Sequence, residues 1–342
     1  MGPKEVKAVP QRPSREVEYL EDITEAIGDT PLIRLRRLPS EHGVAATVLV
    51  KPEFLNPTGS VKDRMAVYVL RRAIASGRLK PGGTIVEATS GNTGAAVAMF
   101  AAVHGYKAIL TIPDKMSREK VDTLRAYGAE VHVCPTAVPP DSPESYYEVG
   151  KRLHRETPGS YWLGQYFNLE NVEAHYRTTG PEIWKQTRGR LDCLVGGVGT
   201  GGTVSGVARY LKEQNPRIEI VAADPEGSVY YQYHRDRTLT EPHTYLVEGI
   251  GEDMICPTID FSVIDTIYQV NDRECFLLGR DLARKEGLLA GGSSGAVIAA
   301  AMRHGRKMRA GQVMVAILPD AGSKYISKMF NDDWMREKGF LS

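Results

Sequence analysis

The sequence predicts an α/β protein of two lobes, each built on a mostly parallel β-sheet covered by helices. Its 342 residues are more than one compact core usually contains. Short β-branched runs alternate with helix-like segments, as in βαβ units. These runs are apolar almost throughout, as strands with helices on both faces must be. We therefore expect parallel sheets with a cleft between the lobes.

Two series of βαβ segments divide the chain. The first contains the strand segments TVLVKPEFL, TIVEA, KAILTIP and EVHVC, and we expect residues 47–159 to form a smaller, mobile lobe. The second runs from LDCLVGG to VMVAIL, so that residues 19–46 and 160–342 form the larger, phosphate-binding lobe. A hinge is predicted at 161–176, and the proline-containing residues 1–18 are predicted to be a flexible tail.

Composition argues against macromolecular or membrane partners. The net charge is +1 and no basic run is interleaved with aromatic residues, so nucleic acid is not an expected partner. No segment resembles a membrane span or a secretory signal, which predicts a cytoplasmic protein that binds small molecules. The four cysteines lie in or beside apolar stretches without a CxxC spacing, so we expect reduced thiols and no metal site.

Three loops rich in glycine and small residues each follow a predicted strand and open a helix. They are TSGNTG (89–94), GGVGTGGT (196–203) and AGGSSGA (290–296). A helix N-terminus offers free N–H groups and a positive dipole end to an anion, and open α/β sheets place their ligands at such junctions. The three loops together indicate a ligand with more than one anionic group.

The middle loop supports two interpretations. Gly197, Gly199 and Gly202 satisfy GxGxxG, and Asp224 ends the next predicted strand, as expected for an NAD-dependent oxidoreductase. The same loop can instead surround a monophosphate with backbone N–H groups and the hydroxyls of Thr200 and Thr203. The loop pattern alone leaves both open.

A lysine at a helix start favours the monophosphate. In NPTGSVKDR (56–64), Lys62 begins an otherwise apolar helical face. The helix dipole lowers the pKa of an amine at this position, and imine formation requires the neutral amine. A monophosphate loop combined with such a lysine suggests pyridoxal phosphate.

Several long motifs also resemble one family. GSVKDR, EATSGNTGAAVA, GTGGT and LPD are similar to motifs of the fold-type II pyridoxal-phosphate enzymes, the group of tryptophan synthase β, in its cysteine synthase/cystathionine β-synthase family. The resemblance spans residues 23–341. VEGIGED, EGLLAGGSSG and FNDDWMREKGFL resemble the catalytic core of the cystathionine β-synthase branch, particularly its bacterial form.

The resemblance implies roles for particular residues. Lys62 holds the cofactor as a Schiff base, Asn92 contacts its ring hydroxyl, and Ser293 faces its pyridine nitrogen. A neutral serine there makes the cofactor a weaker electron sink, which favours β-elimination over transamination. The implied phosphate cradle consists of Gly199, Thr200, Gly201, Gly202 and Thr203. The implied substrate-binding residues are Thr89, Ser90, Asn92, Thr93, Gln165, Gly249 and Glu252.

The implied activity is β-replacement on L-serine or an O-activated serine by a thiol. With L-homocysteine as the thiol, the product is L-cystathionine. An O-acetylserine sulfhydrylase that makes L-cysteine would use the same residues, and the NAD-dependent oxidoreductase is the alternative from another class. No cysteine or histidine precedes His42, so haem is not expected. A homodimer is expected by family analogy.

Overall fold

The computed structural model describes residues 19–139 and 141–342, so the tail predicted at 1–18 lies outside the described residues. Within them, ten strands form two sheets. The strands are β1 (Ile33–Arg34), β2 (Thr47–Pro52), β3 (Thr84–Ala88), β4 (Lys107–Pro113), β5 (Glu130–Cys134), β6 (Tyr161–Trp162), β7 (Cys193–Gly197), β8 (Glu219–Pro225), β9 (Thr266–Val270) and β10 (Val313–Leu318).

Twelve α-helices occur in the same described ranges. They are α1 (Arg37–Glu41), α2 (Lys62–Ala75), α3 (Asn92–His104), α4 (Arg118–Ala126), α5 (Tyr146–Glu156), α6 (Glu170–Arg177), α7 (Thr179–Thr187), α8 (Gly202–Gln214), α9 (Tyr230–Asp236), α10 (Asp272–Glu286), α11 (Gly292–Gly305) and α12 (Asp332–Glu337).

The two sheets have the predicted parallel character. The larger has the order β1-β2-β10-β7-β8-β9 and is parallel except for the β1–β2 pair. The smaller has the order β5-β4-β3-β6 and is parallel throughout. Helices connect successive strands, as parallel pairing requires. The alternation of strand and helix patterns in the sequence therefore predicted the architecture correctly.

The lobe boundary drawn from the sequence was wrong at two strands. β2, placed in the smaller lobe, pairs along its length with β10 in the larger sheet. β6, placed beyond the smaller lobe, pairs with β3, so that the predicted hinge contains a strand and most of α6. Local sequence shows that a segment is a strand, but its partner is chosen by tertiary packing.

Two helices are buried on nearly all sides because they pack between a sheet and another helix. All but one of the residues of α11 are buried, and its contact with α10 is close enough that a Cβ at Gly295 would overlap the Cys275 carbonyl. α3 is similarly enclosed in the smaller lobe. The loops that begin both helices therefore have fixed positions at the carboxyl ends of their sheets.

A cluster of buried charges joins distant parts of the chain near the base of α2. The Arg64 guanidinium contacts Glu53 at 2.6 Å and Glu182 at 2.8 Å, and Lys51 contacts Glu182 at 2.6 Å. Burial opposes ionisation of Glu53, but Arg64 more than offsets this and holds the pKa of Glu53 below its ordinary value. The cluster fixes α2 against α7 and β2.

In the part of the chain that the structure describes, no helix combines the length and apolar character needed to cross a bilayer.

Candidate active site

A cavity of about 260 Å³ lies where the carboxyl ends of the two sheets meet. It brings together residues that are far apart in the sequence. Of the predicted site residues, its lining contains Lys62, Ser90, Asn92, Gln165, Gly199, Thr200, Gly249 and Glu252. Two of the three glycine-rich loops therefore contribute directly to one site.

Lys62 is the first residue of α2, and the loop before it is anchored to the larger sheet. The Val61 N–H donates to the Pro319 carbonyl at 2.8 Å, and Ser60 forms a bridge with Asp320. Burial lowers the pKa of the Lys62 amine, although Asp320 opposes the shift. The amine that lines the cavity is therefore easier to obtain in the neutral, nucleophilic form.

The loop at 196–203 has the geometry of a phosphate cradle. Gly201 has φ +83° and a Cβ there would overlap Ile259, so that only glycine fits. α8 then begins at Gly202, and its first-turn N–H groups have no intrahelical partners. Thr200 and Thr203 line a small adjoining space together with Lys62. The donors, the helix dipole and the nearby amine fit the phosphate and aldehyde ends of pyridoxal phosphate.

Three buried side chains that the sequence analysis missed support this loop. Asn171 donates to the Thr200 hydroxyl at 3.0 Å, the Tyr230 hydroxyl donates to the Gly199 carbonyl at 2.8 Å, and His175 Nε2 lies 3.1 Å from the Thr203 hydroxyl. Tyr230 belongs to the tyrosine-rich segment at 228–243. No local pattern marks these residues, because their contacts depend on how α6 and α9 pack.

Asp224 does not lie where a ribose-binding acid would. It is fully buried, and its Oδ2 accepts the Tyr231 N–H at 2.8 Å at the start of α9. Asp224 is not one of the described residues that line the cavity. The carboxylate therefore organises a helix start, and the geometry does not support a dinucleotide site.

The TSGNTG loop contributes unequally to the cavity. Ser90 and Asn92 line it, whereas the Thr89 hydroxyl accepts the N–H groups of Gly91 at 2.9 Å and Gly94 at 3.0 Å. The Thr93 hydroxyl donates to Gln165 at 2.6 Å. Thr89 and Thr93 thus shape the loop and hold its neighbour, and in this geometry neither lines the cavity as the resemblance implied.

Gln165 is held by a carboxyl group that the sequence analysis did not single out. The Gly164 N–H donates to Glu87 Oε2 at 2.7 Å, and the Gln165 N–H donates to Oε1 at 3.3 Å. Burial raises the pKa of Glu87 to about 8 despite these bonds. Glu87 is the last but one residue of β3 and thereby couples the smaller sheet to the Gln165 segment.

Ser293 is buried behind the cavity. It is the second residue of α11, and a Cβ built on Gly249 would lie 4.0 Å from its hydroxyl. Gly249 itself lines the cavity. Ser293 is therefore close to the site, and its contact with the pyridine nitrogen stays a prediction.

Glu252 faces the cavity and lies among aromatic residues. Tyr146, Tyr147, Tyr166 and Tyr245 line the same region. Burial raises the pKa of Glu252 to about 8, and Asp253 adds to this effect. The carboxyl is thus among the groups that a molecule in the cavity would meet.

A second group of charges closes the rim of the cavity. Glu248 accepts from Lys120 at 2.7 Å and from Lys328 at 2.7 Å. Lys120 comes from the smaller lobe, and its methylene groups pack so closely on Gly91 that a Cβ there would lie 2.6 Å away. These ion pairs join the TSGNTG loop to the larger lobe.

Among the described residues, no group of three or more His, Cys, Asp or Glu side chains is arranged to hold a metal ion. Cys134, Cys193, Cys256 and Cys275 are buried and free. His132, which shares β5 with Cys134, instead contacts Glu130 at 2.7 Å.

The two parallel sheets, the phosphate cradle and the buried lysine together define a fold-type II pyridoxal-phosphate enzyme. Comparison with known families agrees: residues 23–320 match the family described as "Pyridoxal-phosphate dependent enzyme", and the chain belongs to it. The fold class and the cofactor predicted from the sequence are thereby confirmed. The NAD-dependent alternative is wrong, because the chain belongs to a pyridoxal-phosphate family.

Within this family the chain is similar to cystathionine β-synthases. It is 46% identical to cystathionine beta-synthase of Oryctolagus cuniculus over 95% of this chain and 59% of that protein. It is 41% identical to O-acetylserine dependent cystathionine beta-synthase of Bacillus subtilis (strain 168) over 90% of this chain and 96% of that protein. The crystal structure of O-acetylserine dependent cystathionine beta-synthase from Helicobacter pylori matches with a TM-score of 0.83 and 35% identity, covering 91% and 99% of the two chains. The chain thus spans about three-fifths of the rabbit enzyme and nearly all of the bacterial one.

Proposed function

We propose that this enzyme replaces the β-substituent of L-serine or an O-activated serine with a thiol, and that L-homocysteine is the thiol, so that the product is L-cystathionine. The observation that carries the proposal is a single cavity that contains both the Lys62 amine and, beyond it, the Glu252 carboxyl. The names of the similar enzymes support the same activity.

Bound pyridoxal phosphate withdraws electrons from the α-carbon of an amino acid, which permits loss of the α-proton and then of the β-substituent. The chain supplies the groups that bind and move protons. Lys62, whose pKa is lowered by burial, is the proposed base for the α-proton and returns it at the end. Ser90, Asn92 and Gln165 line the cavity and are proposed to bind the first substrate's carboxylate.

The inner cavity wall is suited to an amino-acid thiol. Glu252 is proposed to bind the ammonium group of this second substrate, because an ionised carboxylate lined by tyrosines is a selective partner for a cation. Lys115 lies in the same cavity and provides a positive charge for the carboxylate, which homocysteine carries on the same carbon as its ammonium group. Sulfide has neither group, so these residues favour homocysteine over sulfide.

An absorbance titration of the purified holoenzyme tests the proposal. L-Serine and O-acetylserine are each added first, and homocysteine or sulfide second, with mass spectrometry of the products. Cystathionine formed with a kcat/KM for homocysteine well above that for sulfide supports it. Cysteine as the main product would instead identify an O-acetylserine sulfhydrylase. The same titration decides whether serine or O-acetylserine is the first substrate.

Replacing Glu252 with glutamine is expected to raise the KM for homocysteine about tenfold above about pH 8, where the carboxyl is ionised, since a hydrogen bond to a charged group contributes about 1.5–3 kcal/mol. The spectral response to the first substrate should be unchanged. Steady-state kinetics with each substrate varied in turn measures both effects. Glu226→Gln, at an exposed acid outside the cavity lining, is the matched control. An equal rise in the KM of both substrates would contradict the assignment of Glu252 to homocysteine.

The pH dependence should follow the same carboxyl. Its pKa of about 8 leaves Glu252 mostly protonated below that pH, and binding of an ammonium needs the carboxylate. The KM for homocysteine is therefore expected to fall as pH rises through about 8. The thiol titrates as well, so the quantity to compare is the difference between the wild-type and Glu252→Gln profiles. Parallel profiles would show that Glu252 does not contribute.

Three further features belong to the proposal. The lobe built on the β3–β6 sheet is proposed to close over bound substrate through the TSGNTG loop and to exclude water. A homodimer is proposed by analogy with the family. A cytoplasmic location is proposed because the four cysteines are free in a fold that holds them buried.

A further inference from the structure

The Asn92 side chain is held from two sides by groups of opposite charge. Lys324 donates to Asn92 Oδ1 at 2.7 Å, and Asn92 Nδ2 donates to Asp320 Oδ2 at 2.8 Å. An ammonium has only donors and a carboxylate only acceptors, so the amide satisfies both partners in just one of its two orientations. Its oxygen must face Lys324 and its nitrogen must face Asp320.

This arrangement restricts what Asn92 can offer to the cavity. One Nδ2 proton is used by Asp320, and Oδ1 is engaged by Lys324. Asn92 lines the cavity and is 8% exposed, so the second Nδ2 proton is its remaining group for a ligand. An amide fixed in this way acts as a donor, which suits an oxygen carrying negative charge.

Asp320 is itself held where the cofactor loops meet. The Tyr325 hydroxyl donates to Asp320 Oδ2 at 2.6 Å, and the Gly291 N–H donates to the Asp320 carbonyl at 3.0 Å. Through its backbone, Asp320 also forms a β-bridge with Ser60, two residues before Lys62. Its Oδ1 is buried without a hydrogen-bond partner among the described residues. A Cβ on Gly291 would overlap this oxygen. The carboxylate is therefore rigid, and its charge opposes the lowering of the Lys62 pKa by burial.

Lys324 is an unusual partner for an amide. It lies on the turn Gly322–Tyr325, and its aliphatic chain is near Gly59, where a Cβ would be 3.7 Å from Lys324 Cε. Burial lowers the pKa of Lys324 to about 8, although Asp320 and Asp63 favour its charged form. A lysine retained here at a desolvation cost indicates that its hydrogen bond to Asn92 has a task in the site.

We propose that Asp320 and Lys324 are positioning residues that lock the Asn92 amide with its N–H toward the cofactor, so that Asn92 donates to the ring oxygen and favours its anionic form. The inference rests on the proposed contact between Asn92 and that ring oxygen. It does not depend on the identity of either substrate.

The test compares holoenzyme variants before any amino acid is added. Lys324→Met removes the donor to Asn92 Oδ1, Lys324→Gln keeps an amide donor without the charge, and Asp320→Asn removes the acceptor charge. The readouts are the pH dependence of the ratio of the cofactor's two absorption bands, which reports protonation of the ring oxygen, and the cofactor Kd by equilibrium dialysis. Lys338→Met, at a solvent-exposed lysine near the chain's end, is the control.

Lys324→Met is expected to raise the cofactor Kd about tenfold and to move the midpoint of the band ratio by about one pH unit toward higher pH. Lys324→Gln should recover most of both effects, and Lys338→Met should match wild type. Asp320→Asn should also weaken binding, and its effect should be non-additive with Lys324→Met because both act on one amide.

Two results would overturn the proposal. The first is a Lys324→Met variant with the band ratio and cofactor Kd of the wild type. The second is a Lys324→Gln variant whose band ratio and Kd equal those of Lys324→Met, which would show that charge alone acts. Should Asp320→Asn fail to fold, the Lys324 pair decides the question, because Lys324 lies on a short turn and is only partly buried. An enzyme that shows these band shifts but makes no cystathionine would refute the proposed substrate and leave this inference standing.

Discussion

Replacing Lys62 with alanine is expected to lower kcat/KM for β-replacement by at least about a thousandfold. The residue is proposed both to attach the cofactor and to move the α-proton, and loss of a general base alone typically costs 10²–10⁴-fold. The attachment can be measured separately from activity. Borohydride reduction of the holoenzyme followed by peptide mapping should place the cofactor on the peptide that contains Lys62, and the Lys62→Ala variant should carry none.

Lys107→Ala is the matched control, because Lys107 is an exposed lysine at the start of β4, away from the cavity. Its variant should keep the cofactor and the activity of the wild type. Cofactor reduced onto another lysine of the site, such as Lys120, would contradict the assignment of Lys62. The result bears on the sequence analysis too, since the position of Lys62 at a helix start, the phosphate loop and the family resemblance led to this residue.

Replacing Arg64 with methionine is expected to destabilise the fold by about 3–5 kcal/mol, the usual cost of removing one partner of a buried ion pair. Glu53 is fully buried and Arg64 is 4% exposed, so the variant leaves carboxylates in the interior without their counter-ion. Denaturant unfolding of the apoenzyme, followed by circular dichroism, measures the change. The pKa of Glu53 should rise once Arg64 is absent, so the loss of unfolding free energy should be larger at neutral than at acidic pH.

The control for this prediction is Arg72→Met, about two helical turns further along α2. Arg72 pairs with Glu170 at 3.0 Å at the protein surface, where ion pairs contribute little. This variant should unfold at the wild-type denaturant concentration. Equal destabilisation by both substitutions would show that the effect comes from α2 itself and not from the buried cluster.

The sequence predicted those site residues whose backbone geometry and chemistry depend on a short stretch of the chain. Gly201 needs a positive φ, α8 needs to begin beside Thr200, and Lys62 needs to follow a short turn into α2. Each of these requirements is met by a contiguous sequence motif. The alternation of apolar strands and helices similarly indicated parallel sheets, because strands buried on both faces lose the polar alternation.

Sequence reasoning failed where a contact joins distant segments. Asn92 and Asp320 are separated by 228 positions, and Lys120 and Glu248 by 128. LPD was recognised as a motif, yet nothing within it shows that its aspartate reaches Asn92. The resemblance implied a substrate-binding role for Thr89, and the fold directs its hydroxyl to the backbone N–H groups of its own loop.

The sequence by itself determined the fold class and the cofactor and indicated the loops proposed to bind it, because these depend on local periodicity and on short motifs with fixed backbone requirements. Tertiary structure alone decided that β2 joins the larger sheet, that Glu252 faces the cavity, and that Asp320 and Lys324 hold Asn92. The physical reason is that desolvation, ion pairing and amide orientation depend on which groups surround a side chain in space. Those neighbours come from segments that are far apart in the sequence, and no local pattern shows that the segments meet.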